Sequence, residues 1–129
     1  MAMTISGSTG VTYPDGSSQA SGQQACKAWV NFNGGGTVAI RGSYNVTSIT
    51  DNGTGAYTVN FTTALSNANY AGVVSLSTKG ASTDNYSFVA TTGSATTTYG
   101  EHSTTAFKVN CGYQGVLYDI ESVQIAVFN

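Results

Sequence analysis

Between Ala28 and Tyr70 the chain alternates apolar and polar residues with a period of two, and two glycine-rich turns interrupt the pattern. Ala28, Val30 and Phe32 share one face, with Trp29, Asn31 and Asn33 on the other. That is the signature of a half-buried strand, because successive side chains of an extended backbone point to opposite sides. Asn33-Gly34-Gly35-Gly36 then reverses the chain, as a hairpin turn requires. Val38, Ile40 and Tyr44 are expected to continue an apolar face. A strand near Val46–Thr50 meets a second hairpin signal, Asp51-Asn52-Gly53-Thr54-Gly55, and Tyr57, Val59 and Phe61 alternate with Thr58, Asn60 and Thr62 on the returning strand.

Further strands are expected at Ala71–Thr78, Asn85–Thr91, Thr105–Cys111 and Ile120–Phe128, the last with Val123, Ile125 and Val127 on one face. Only Thr62–Ala68 has the composition for a single helical turn, since β-branched residues and glycine dominate elsewhere. The expected fold is therefore all-β: an antiparallel β-sandwich, jelly-roll-like, of about seven to eight strands over residues 25–129. Residues 1–24 are rich in Ser, Gly, Thr and Gln, and Ile5, Val11 and Tyr13 are the groups able to pack. They read as an extended neck with one firm turn at Tyr13-Pro14-Asp15-Gly16, where Pro presets φ and Gly accepts a positive one. Three connections are polar: 79–84, 92–104 and 112–119, the second long enough to be read as functional.

Charged residues make up 8% of the chain, against about 25% in ordinary soluble domains. Solubility must then come from neutral hydrogen-bonding groups, which fits an extracellular or virion surface. The four Lys and Arg residues are scattered and the net charge is −2. Nucleic-acid binding through phosphate neutralisation is not expected, nor is membrane insertion, since no apolar run approaches ~18 residues. The first residues, MAMTISGSTG, lack the basic and apolar regions of a secretory signal. Cys26 and Cys111 are too few for a disulfide scaffold. They read as two buried free thiols in strands or as a bridge between a first and a late strand, and spacing does not decide between them.

Groups for chemistry are sparse. The single histidine, His102, has no nucleophile motif around it and reads as a solvated loop residue. The carboxylates Asp84, Glu101 and Asp119 show no pairing signal of the kind glycoside hydrolysis needs, and Asp15 and Asp51 are accounted for by turns. No enzyme activity, cofactor or metal site is expected. The Asn-X-Ser/Thr triplets at Asn45, Asn52, Asn60 and Asn85 are ordinary in so Asn- and Thr-rich a chain. Aromatic residues are more informative. Tyr44, Tyr57, Phe61, Phe88 and Phe107 occupy strand positions and are assigned to the core, while Trp29 faces away from it, exposed or at a subunit interface. Tyr86, Tyr99, Tyr113 and Tyr118 lie in or beside the polar connections with Glu101 and His102. Such rings stack on the apolar faces of sugars while neighbouring polar groups bond their hydroxyls. These six residues are the candidate receptor contacts.

The segment AWVNFNGGGTVAIRGSYNVTSITDNGTGAYTVNFTTALSNANY resembles the C-terminal receptor-binding domain of bacteriophage and prophage tail fibres. The upstream GVTYPDGSSQAS is similar to a Pro-Asp-Gly element that often precedes such domains, and VQIAVFN looks like their final strand. The chain has Leu65-Ser66-Asn67 where that family usually has Met-Pro-Asp. The resemblance implies a β-sandwich tip on a homotrimeric fibre, located on the virion and joined to the rest of the tail fibre. It implies attachment to a host cell-surface glycan, lipopolysaccharide or capsule, without catalysis. The alternatives are a structural fibre or baseplate component with no receptor contact, and a small polysaccharide depolymerase.

Overall fold

A computed structural model describes residues 2–6, 10–19, 26–77, 89–91, 102–113 and 116–128. The described chain contains no helix. Its strands are β1 (Thr4–Ser6), β2 (Gly10–Thr12), β3 (Ser18–Gln19), β4 (Cys26–Asn33), β5 (Ala39–Tyr44), β6 (Val46–Asp51), β7 (Ala56–Phe61), β8 (Ala71–Leu76), β9 (Val89–Thr91), β10 (Ala106–Tyr113), β11 (Val116–Leu117) and β12 (Val123–Phe128). Strands β1–β3 form a small antiparallel meander. Its turn is the expected one: the Gly16 N–H donates to the Tyr13 carbonyl at 3.0 Å, with Gly16 at φ +84°.

The rest is an antiparallel β-sandwich. One sheet has the order β5–β4–β12–β8; the other runs β11–β10–β7–β6, with β9 also paired to β10. The inner faces meet in one core that includes Val30, Phe32, Tyr57, Val59, Phe107, Val109, Ile120, Val123, Ile125 and Val127. Alternation explains which residues go in. Along β4, Ala28, Val30 and Phe32 are buried; along β7, Tyr57, Val59 and Phe61; along β12, Val123, Ile125 and Val127. Each large apolar side chain moved from water to such a core contributes about 1.5–3 kcal/mol, so these strands hold the two layers together.

Four expectations need correction. Tyr44 is not core but 58% exposed. The cause is a bulge: Phe32 pairs with Ile40 but Asn31 with Gly42, leaving Arg41 as the extra residue on β5. One extra residue flips every following side chain to the other face, so Tyr44 opposes the outward Trp29. Second, 62–68 makes no helical turn. Its N–H groups are bonded outside the segment: Thr62 to the Asn45 carbonyl, Thr63 to Asn45 Oδ1, and Leu65 to the Thr104 carbonyl. Third, 112–119 is not a plain connection, because β10 runs on to Tyr113 and β11 pairs back through Gly112–Leu117 and Tyr113–Val116. Fourth, His102 is not a solvated loop residue, as described below. Both cysteines are free, Cys111 buried and Cys26 half-buried. Phe88 lies outside the described residues.

Candidate functional site

The polar segments nominated by the sequence separate into distinct places. Tyr86, Tyr99 and Glu101 lie outside the described residues. His102 precedes β10, whereas Tyr113 ends that strand. At about 3.4 Å per residue, the length of β10 puts roughly 20 Å between its two ends. His102 and Tyr113 therefore do not share one small site. Tyr113 pairs with Val116 across the β10–β11 hairpin, whereas Tyr118 follows β11, donates its N–H to the Cys111 carbonyl at 3.0 Å and packs half-buried against the core.

The His102 ring stacks on Phe107 with centroids 4.8 Å apart and planes 15° apart. It is tilted against Tyr70 at 5.1 Å. Its Nδ1 is shut from solvent and has no hydrogen-bond partner. Burial lowers the pKa of the imidazole, since the charged form is the one that loses solvation. The Tyr70 hydroxyl lies 3.0 Å from the Ala106 carbonyl and 3.2 Å from that of Ser103, anchoring this end of the sandwich. Burial pushes the Tyr70 phenol up to about 12.

Other ionisable groups are also tied into the framework. Asp119 Oδ1 accepts the Gly55 N–H at 2.7 Å and lies 3.1 Å from the Tyr57 hydroxyl. The Tyr57 hydroxyl is also 2.8 Å from the Gly34 carbonyl, so its one proton is shared between two acceptors. Burial, reinforced by the Asp119 carboxylate, raises the Tyr57 pKa. Burial likewise pushes the Cys111 thiol up to about 12, which keeps it protonated and unreactive at neutral pH. Among the described residues no three His, Cys, Asp or Glu side chains gather as metal ligands would.

Apart from Tyr13 in the N-terminal meander, the exposed aromatic side chains among the described residues, Trp29, Tyr44 and Phe128, lie on the outer face of β5–β4–β12–β8. Pairing lines up Tyr44, Trp29, Ala126 and Val73 in one row across all four strands. Tyr44 is 58%, Trp29 43% and Val73 60% exposed. Beside it runs a second outward row, Gly42, Asn31, Gln124 and Ser75. A Cβ placed on Gly42 would lie 3.5 Å from Cη2 and Cζ3 of Trp29, so the indole leans over the neighbouring strand at the position without a side chain.

Tyr44 also borders a groove of about 500 Å³ at the corner where the chain passes from one sheet to the other. Asn45 makes that corner. It adopts φ +56°, donates from Nδ2 to the Lys27 and Thr63 carbonyls at 3.0 and 3.1 Å, and accepts the Thr63 N–H on Oδ1 at 2.8 Å. The Asn45 amide of the Asn-Val-Thr triplet is thus occupied structurally.

Of these surface residues, sequence reasoning found Trp29, by alternation. It missed the partnership with Tyr44, whose only local signal is the Gly42 that follows the bulged Arg41. Comparison with protein-family models, with curated proteins and with solved structures finds no match to this chain.

Proposed function

We propose that this chain is the receptor-binding tip domain of a phage or prophage tail fibre. In this reading it is displayed as a homotrimer at the distal end of the virion. It attaches to a polysaccharide of the bacterial surface, lipopolysaccharide or capsule, and performs no chemistry on it. The observation that supports the reading is the character of the exposed surface. A tightly packed sandwich presents outward aromatic side chains, Trp29 and Tyr44, among neutral amides and hydroxyls. Such a surface recognises a hydroxyl-rich, uncharged ligand through stacking and hydrogen bonds. Three weak sites on one trimer would bind a repetitive polymer with far greater avidity than one. Tyr86, Tyr99, Glu101, Tyr113 and Tyr118 remain proposed contacts; His102, packed against both Phe107 and Tyr70, acts in this reading by positioning its own end of the sandwich.

Competition tests the proposal. Purified protein should block adsorption of a phage carrying this fibre to its host, and light scattering should give the mass of three chains. Unimpeded adsorption at saturating protein refutes a receptor-binding role and leaves a structural fibre component.

A further inference from the structure

We infer that the outer face of β5–β4–β12–β8 holds a binding subsite for a neutral saccharide, with Trp29 as the stacking platform and Asn31 and Gln124 as the hydrogen-bonding rail. The inference rests on the attachment reading above and places one of its contacts on the sheet face, away from the nominated connections. A groove of about 400 Å³ runs between Trp29, Asn31, Gln124, Ser75 and Val73, a volume within the usual range for small-ligand sites.

The two cross-strand rows supply complementary chemistry. The apolar row, Tyr44–Trp29–Ala126–Val73, offers C–H and π surface. The adjacent row, Gly42–Asn31–Gln124–Ser75, offers amides and a hydroxyl about 7 Å along the strands. A hexopyranose has the same division: an apolar C–H face that stacks on a ring, and equatorial hydroxyls around its edge. The indole lies over Gly42, where a Cβ would meet Cη2 and Cζ3 at 3.5 Å, an ordinary contact, and a longer side chain would compete with it for the groove.

The amides are also weakly committed. Asn31 Oδ1 receives only a long contact from Arg41 Nη1, at 3.4 Å. Gln124 Nε2 reaches Ser122 Oγ at 3.5 Å. Each amide has two donors and two acceptor positions, so most of that capacity faces the groove or solvent. No charged side chain stands in either row. Arg41 at the rim is held by a 2.6 Å bond from Nη2 to the Glu121 carbonyl. The ligand this matches is neutral.

Size favours a saccharide over a second copy of the chain. Four strands at about 4.8 Å spacing and six residues at about 3.4 Å give a footprint of roughly 400 Å². A stable protein interface takes about 800 Å² from each partner, and Asn31, Gln124 and Ser75 place amides and a hydroxyl in the middle of this smaller face.

Trp29 is the single tryptophan of the chain, so all tryptophan emission reports on this groove. The test titrates full-length protein with neutral oligosaccharides of glucose, galactose, mannose and N-acetylglucosamine and with purified lipopolysaccharide and capsule polymers, following emission and acrylamide quenching. Calorimetry on the same samples measures binding independently of the tryptophan. The expected result is a blue shift and protection from quenching on binding a neutral glycan. W29A should then weaken binding about tenfold or more. N31A/Q124A, which keeps the reporter, should weaken it at least about fivefold with an unchanged ligand-free spectrum. W29F should recover part of the W29A loss. Far-UV circular dichroism and melting midpoints close to wild type establish that these outward substitutions leave the fold intact. Glycan binding by calorimetry with unchanged emission and full affinity in N31A/Q124A overturns the inference and leaves the attachment reading standing. Trp29 shielded from acrylamide in ligand-free protein also overturns it, by showing the face covered by another copy. Absence of calorimetric binding to every glycan tested refutes the attachment reading itself.

Discussion

The Tyr57 hydroxyl is the clearest place to test how the two sheets are held in register. Tyr57 projects inward from β7, 1% exposed, and packs edge-on against Phe32 of β4 with centroids 5.2 Å apart. Its hydroxyl meets the Gly34 carbonyl at the turn after β4 and Asp119 Oδ1 on the segment before β12. Tyr57→Phe keeps the ring and the packing and deletes only the donor. A typical buried hydrogen bond contributes about 1 kcal/mol net, and a buried acceptor left unsatisfied costs about 1–3 kcal/mol. Here the Gly34 carbonyl loses its side-chain donor, while Asp119 retains the Gly55 N–H. The expected loss is about 2 kcal/mol. At about 3–5 °C per kcal/mol for a chain of this size, the melting midpoint should fall by about 6–10 °C. Urea unfolding of Tyr57→Phe, Asp119→Ala and the double variant completes a cycle. Coupling of about 1 kcal/mol is expected, because both single variants break the same contact. Asp119→Asn should be milder than Asp119→Ala, since its carbonyl still accepts from Gly55 and Tyr57. A Tyr57→Phe loss below about 0.5 kcal/mol, the level of an ordinary surface substitution, with no coupling to Asp119, would refute the argument.

Three further outcomes follow from the same contacts. The folded-state pKa of His102 lies below its ordinary value of 6.5, so its contribution to stability is complete above about pH 6.5 and is lost as pH falls through that value toward the folded pKa. Urea midpoints measured from neutral to mildly acidic pH should decline less in His102→Phe than in wild type. Gly55→Ala should fold poorly or not at all: φ is +66° and the new Cβ would lie 2.6 Å from the Cys111 carbonyl and 2.7 Å from the Tyr118 nitrogen. Gly53→Ala, with φ +115° and open space around it, should cost only the backbone strain of about 1–2 kcal/mol, which circular dichroism during urea titration separates from the Gly55 result. Asn45→Gly keeps the left-handed backbone but loses the side-chain bonds to Lys27 and Thr63, so it should cost about 2 kcal/mol. Asn45→Ala should cost about 1 kcal/mol more by adding strain, an order that thermal melts check.

Much of the fold was legible because the buried strands carry their own instructions. In β4, β7 and β12 the period-two pattern names the inward residues directly, and the burial found along them matches it. The turns at Gly16 and Gly53–Gly55 were legible for a similar local reason, since only certain residues accept positive φ. The course of 62–68 was not, because its N–H groups are taken by Asn45 and Thr104, partners distant in sequence. The extent of β10 was missed because Gly112 looks like a breaker. It is instead the residue at which the Val116 carbonyl approaches too closely for a Cβ. His102 shows the opposite error. A polar residue among hydroxyls reads as solvated, yet folding lays it on Phe107 and Tyr70.

The surface row is the least legible feature, and the reason is register rather than composition. Alternation along a strand says which residues share a face; it does not say which residues of other strands stand beside them. Ala126 is outward by alternation with Ile125 and Val127. In Ala71–Leu76, however, Val73 and Val74 are adjacent and chemically alike. Only the pairing of Ile125 with Val74 and of Ala126 with Val73 sends Val74 inward and Val73 out. Tyr44 joins the row through the bulge at Arg41, which a strict period of two excludes. An exposed row on a sheet is thus assembled by long-range pairings, and residues such as Val73 and Tyr44 that resemble core within their own strands join it only through those pairings.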